Sequence, residues 1–93
     1  MNYRVSFTNR NARRIQVAVL SDQTENFQIQ PNQTDSSTGM PEGQAFTFYW
    51  RDDGTPCRLC DEPECNANRM IMPSTDISLT LPDPGGRWPK QTN

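Results

Sequence analysis

The sequence has no histidine and one lysine, Lys90, in 93 residues. Without histidine there is no Ser-His-Asp relay and no imidazole ligand for a metal. The remaining general bases are carboxylates, which fall in polar loops rather than in apolar pockets that would tune them. No GxGxxG, GxxxxGKS, GxSxG or HExxH pattern is present. These absences argue against an enzyme. Long apolar runs are also missing, so no membrane-spanning helix is expected. A formal net charge of −2 gives no basic footprint for nucleic acid. The N-terminal Met-Asn-Tyr-Arg-Val-Ser-Phe-Thr lacks a charged segment followed by an apolar one, which points to cytoplasmic synthesis or an assembled particle.

Apolar residues are scarce as well. At 32% hydrophobic content, with eight prolines and a mean hydropathy of −0.88, the composition borders on that of disordered chains. Low net charge and the arrangement of the aromatics argue for folding. A single domain of this size buries only somewhat over ~60% of the surface its unfolded chain exposes, so each large apolar residue counts.

The apolar residues recur with period two. Tyr3, Val5 and Phe7 alternate with Arg4, Ser6 and Thr8; Ile15, Val17 and Val19 with Gln16 and Ala18; Phe27 and Ile29 with Gln28 and Gln30. Phe46, Phe48 and Trp50 alternate with Thr47, Tyr49 and Arg51, and Ile77, Leu79 and Leu81 with Ser78 and Thr80. Arg69 to Met72 adds a short strand stopped by Pro73. Only Arg10 to Leu20 competes as a helix, and its β-branched Ile15, Val17 and Val19 weigh against it. Asn9-Arg10-Asn11 reads as a hairpin turn whose asparagines take positive φ.

Turn-rich segments separate these runs: Ser21 to Glu25, a long polar loop from Pro31 to Gln44, Asp52-Asp53-Gly54, and Pro82 to Pro89. The expected fold is all-β, a small antiparallel β-sandwich or partly open barrel of five to six strands over residues 1–81. Residues 82–93 form an extended Pro/Gly-rich C-terminal arm. Purely antiparallel topology is expected because no connection is long enough for a crossover helix.

Chemistry gathers in three places. Cys57-x2-Cys60-x4-Cys65 is the only patterned reactive set. Three thiols form one disulfide with a thiol to spare, stay reduced, or hold zinc with a carboxylate such as Asp61, Glu62 or Glu64 as fourth ligand. The surrounding acids disfavour thiolate redox chemistry. On the strand 46–50, Phe46, Phe48 and Trp50 share the core face, which leaves Tyr49 outside as a candidate contact residue. Trp88 and Arg87, in the arm, are the residue types favoured at interface hot spots.

Charge is unevenly distributed. Residues 1–21 carry Arg4, Arg10, Arg13 and Arg14 with no acid, whereas residues 22–65 carry nine acids against Arg51 and Arg58. Separated on the surface, these segments would favour head-to-tail contact; paired by the sheet, they would cancel.

Together these features suggest a non-enzymatic structural or interaction module. The expected partner is another protein or copies of the chain itself, in a larger assembly such as a viral or other shell. Two alternatives are a glycan-binding sandwich using Tyr49, Trp88 and the Thr34 to Gly39 loop, and an acidic inhibitor of a basic partner. In order along the chain, Val5-Ser6-Phe7-Thr8-Asn9, Val17-Ala18-Val19, Trp50-Arg51 followed by Cys57 and Cys65, and Asp76-Ile77-Ser78-Leu79 resemble fragments of the thaumatin-like β-sandwich. That resemblance implies a sandwich. The chain is far shorter than that family and lacks most of its cysteines, so neither its disulfide scheme nor its acidic-cleft function is implied.

Overall fold

The computed structural model describes residues 1–52 and 66–82, and among these the chain forms nine strands and no helix. They are β1 (Asn2–Tyr3), β2 (Val5–Asn9), β3 (Ile15–Leu20), β4 (Thr24–Ile29), β5 (Thr34–Ser36), β6 (Met40–Pro41), β7 (Ala45–Asp52), β8 (Asn66–Ile71) and β9 (Ile77–Leu81). One sheet runs β4-β3-β7-β8, all antiparallel; a second runs β5-β2-β9; β1 and β6 make a two-stranded ribbon. The expected all-β sandwich is the fold.

Period-two alternation builds the core. Val5 and Phe7 from β2 and Leu81 from β9 bury against Ile15, Val17 and Val19 from β3 and Phe46, Phe48 and Trp50 from β7. Ile29, Met40 and Met72 close its margins, and Tyr3, Phe27, Met70, Ile77 and Leu79 pack around it. Burying each large side chain contributes about 1.5–3 kcal/mol, which makes a short list of residues sufficient for a lean domain. β3 is central in its sheet and buried on both faces: Ala18 and Gln16, which alternate with the core residues, are also covered.

The topology departs from the expectation in one pair. β2 and β9 are parallel, with Val5 opposite Ile77, Phe7 opposite Leu79 and Asn9 opposite Leu81. A parallel pair needs a long connection, and here residues 10–76 supply it, their described part running through the four strands of the facing sheet and the short β5 and β6 with no helix. β2 and β9, the first and last of the longer described strands, thereby share a sheet.

Asn9 to Arg14 is likewise not a hairpin, because β2 and β3 belong to different sheets. The segment carries the chain from one layer to the other. Neither Asn9 nor Asn11 takes positive φ; among the described non-glycine residues that conformation belongs to Asn32, at 64°. Asn9 is instead fully buried and uses its side chain. Its Nδ2 donates to the carbonyls of Arg13 (2.9 Å) and Ile29 (2.8 Å), and its Oδ1 accepts from the Asn11 amide (2.7 Å). Its backbone accepts from the Asn32 amide and donates to the Gln33 carbonyl. One buried amide thus holds three segments together, with every bond satisfied.

The run expected as one strand from Tyr3 to Phe7 breaks at Arg4. Its amide donates to Asp76 Oδ1 (2.9 Å), its carbonyl accepts from Ile77, and Tyr3 pairs with Met40 in the separate ribbon.

Pro31 to Gln44 is polar, as expected, but it is strapped to the sandwich. β5 pairs with β2 and β6 with β1. Between them Ser37 is buried, exchanging bonds with the Val5 backbone through its amide and its Oγ. Thr38 donates to Glu25 from its amide (3.1 Å) and from its Oγ1 (3.2 Å), and accepts from Gln23 Nε2.

Candidate functional site

Cys57, Cys60, Cys65, Arg87 and Trp88 lie outside the described residues. Among the described residues no group of three or more Cys, Asp or Glu side chains is placed to hold a metal ion. No helix there is long and apolar enough to cross a membrane.

Tyr49 is placed. It lies on the outer face of β7, opposite Ala18 of β3, and 7% of its surface is exposed. The hydroxyls of the 34–38 segment are engaged within the fold. Thr34 bonds Thr8 (2.7 Å), Ser36 bonds Ser6 (2.8 Å), and Ser37 and Thr38 belong to the strap. In the register, Asp52, the last described residue of the 22–65 segment before Asn66, stands opposite Ile15, the neighbour of Arg14.

Among the described residues, β8 is an edge strand and carries an exposed apolar side chain. Its inner partner is β7, with Ala45 opposite Ile71, Phe46 opposite Met70 and Thr47 opposite Arg69. Met70 and the adjoining Met72 turn inward to the core, so Arg69 and Ile71 project from the outer face. Ile71 is 68% exposed, and Met1 is the other exposed large apolar residue among those described. Arg69 is exposed and makes no hydrogen bond or ion pair among the described residues.

Beside them is a cleft of about 540 Å³ lined by Leu20, Ser21, Ala45, Phe46, Thr47, Arg69, Met70 and Ile71. Leu20, Thr47 and Arg69 form one row across β3, β7 and β8, and Ala45 and Ile71 form the next. Outer-face side chains thus supply most of the lining, the core-facing Phe46 and Met70 supply the rest, and a strand edge lies alongside. Its polar lining residues are Ser21, Thr47 and Arg69.

Sequence reasoning singled out none of these edge residues. The available signal was the Ile71 between Met70 and Met72, one apolar residue on the wrong parity just before the strand-stopping Pro73.

The chain matches no protein-family model, no curated protein sequence and no solved structure among those compared. The thaumatin-like resemblance finds no counterpart in them.

Proposed function

We propose that the chain is a non-enzymatic interaction module, a small β-sandwich subunit that attaches to a larger protein assembly such as a viral or other shell. The observation that carries this reading is Ile71. In a domain with few apolar residues, a 68% exposed isoleucine lies on a strand edge that no described strand covers, beside an arginine with no bonding partner among the described residues, and an uncovered strand edge is a template for pairing with another chain. The arm of residues 82–93 adds a second gripping element from the sequence, with Arg87 and Trp88 as its anchors.

The lack of histidine and the scarcity of lysine support a non-catalytic role. Glycan binding has less support. Sugar stacking needs an exposed aromatic face, and Tyr49 offers 7% of its surface.

Sedimentation of the intact chain and of a form ending at Leu81 tests the reading. Self-association or incorporation into the source assembly is expected for the intact chain, and weaker incorporation into that assembly for the shortened one. Unchanged incorporation after truncation removes the arm from the proposal; an intact chain that stays monomeric and joins no assembly removes the module itself.

A further inference from the structure

We propose that the edge of β8, which no described strand covers, pairs with β8 of a second copy, antiparallel about a twofold axis at Met70, joining two four-stranded sheets into one of eight strands. This rests on the interaction-module reading and names its partner at this edge. The argument starts from which main-chain groups point outward.

In an antiparallel ladder, alternate residues turn their N–H and C=O toward the same neighbour. Just past β8, the Met72 amide donates to the Gln44 carbonyl (2.8 Å) and its carbonyl accepts from the Gly43 amide (2.8 Å). Gln44 and Met72 continue the register that sets Phe46 opposite Met70. Met70 and Met72 therefore spend their main-chain groups on the β7 side, and Arg69 and Ile71 direct theirs to the open edge.

Two outward residues spaced by two are self-complementary. With the axis at Met70, Arg69 of each copy stands opposite Ile71 of the other, and each such pair exchanges two hydrogen bonds. Neighbouring registers fail on local chemistry. Centring on Arg69 sets two guanidinium groups directly opposite each other, and like charges in that position are destabilising. Centring on Ile71 sets Arg69 against Pro73, which has no N–H to give.

The favoured register also uses both exposed side chains. The Arg69 stem lies along the second copy's exposed Ile71 while its charged head stays in water. The two outer-face clefts then adjoin across the axis. Closing edge against edge also removes the unpaired strand that a lean domain would otherwise leave open to random aggregation.

Sedimentation equilibrium over a concentration series checks this with two variants. Ile71→Arg should weaken the dimer by at least about tenfold, since it creates two symmetric Arg–Arg oppositions. The double variant Arg69→Glu/Ile71→Arg should restore association by making both pairs opposite in charge. Both substitutions are on the exposed face, and unchanged circular dichroism and urea midpoints would show that the fold is retained. A chain that is monomeric at every concentration, or a dimer indifferent to Ile71→Arg, overturns the proposal. A chain ending at Leu81 that keeps the dimer but fails to join the source assembly separates this edge from the arm.

Discussion

Phe7 of β2 and Phe48 of β7 meet across the two sheets with ring centroids 5.2 Å apart and planes inclined at 57°. This tilted pair is a direct bridge between layers, and both rings are almost wholly buried. Aromatic pairs in this arrangement contribute about 0.5–1.5 kcal/mol beyond their burial. Phe7→Ala or Phe48→Ala should therefore cost about 3–5 kcal/mol, a large share of the stability of so small a domain. Urea denaturation should show that loss for each variant. A double variant much less destabilised than the sum of the two would confirm that the rings are coupled.

Asn9 gives a prediction with a pH signature. Asn9→Ala removes the side-chain bonds that Asn9 makes to the Arg13 and Ile29 carbonyls and accepts from the Asn11 amide, at a cost of about 3 kcal/mol. Asn9→Asp should be worse at neutral pH, because it aims a carboxylate at two carbonyl oxygens in a buried site. Burial and those oxygens raise the introduced acid's pKa in the folded state above the ordinary value of about 3.9. The folded state then holds the proton more tightly than the unfolded one, so the variant should lose stability as pH rises from about 4 toward 7. Thermal melts of the variant against wild type across that range measure it. A constant difference would remove the carbonyl contacts from the account.

The strands at Val5/Phe7, Ile15/Val17/Val19, Phe46/Phe48/Trp50 and Ile77/Leu79/Leu81 were legible because a half-buried strand needs nothing but its own alternation. Their partners were not. Pairing Val5 with Ile77 depends on strands at opposite ends of the chain, and no local pattern carries that information. Asn9 shows the same limit on a smaller scale. Its local chemistry permits positive φ, but its role depends on carbonyls from Arg13 and Ile29, which only the assembled fold brings within reach. The exposure of Ile71 was hidden for a related reason: whether an apolar residue on the outer face is covered depends on strand order, and β8 is at an edge. Cys57, Cys60, Cys65, Arg87 and Trp88 remain sequence-level candidates.

The strap from β4 to the 37–39 segment should act locally. Thr38→Val removes the Oγ1 that donates to Glu25 and accepts from Gln23, while the Thr38 amide keeps its own bond to Glu25. The loss at these exposed groups should be at most about 1 kcal/mol. Hydrogen exchange should quicken at the Thr38 amide and leave the amides of β3 unchanged. Quickening throughout β3 would mean that the strap supports the whole sheet.

Gly39 is held by close approach rather than by backbone angle. A methyl group at its Cα would lie 2.7 Å from the Asn2 Cβ, nearer than two such atoms can sit. Gly39→Ala must therefore push β1 away from β6 or distort the segment next to Met40, which is buried in the core. A cost of about 1–3 kcal/mol is expected, as for other overpacking changes. The contact is with one Cβ, so Asn2→Gly should relieve it. Alone, that change should cost little, because Asn2 is exposed. Chemical denaturation of the two single variants and the double variant then forms a cycle. A double variant more stable than Gly39→Ala alone fixes the clash at Asn2, and simple addition of the two costs would place the strain elsewhere in the segment.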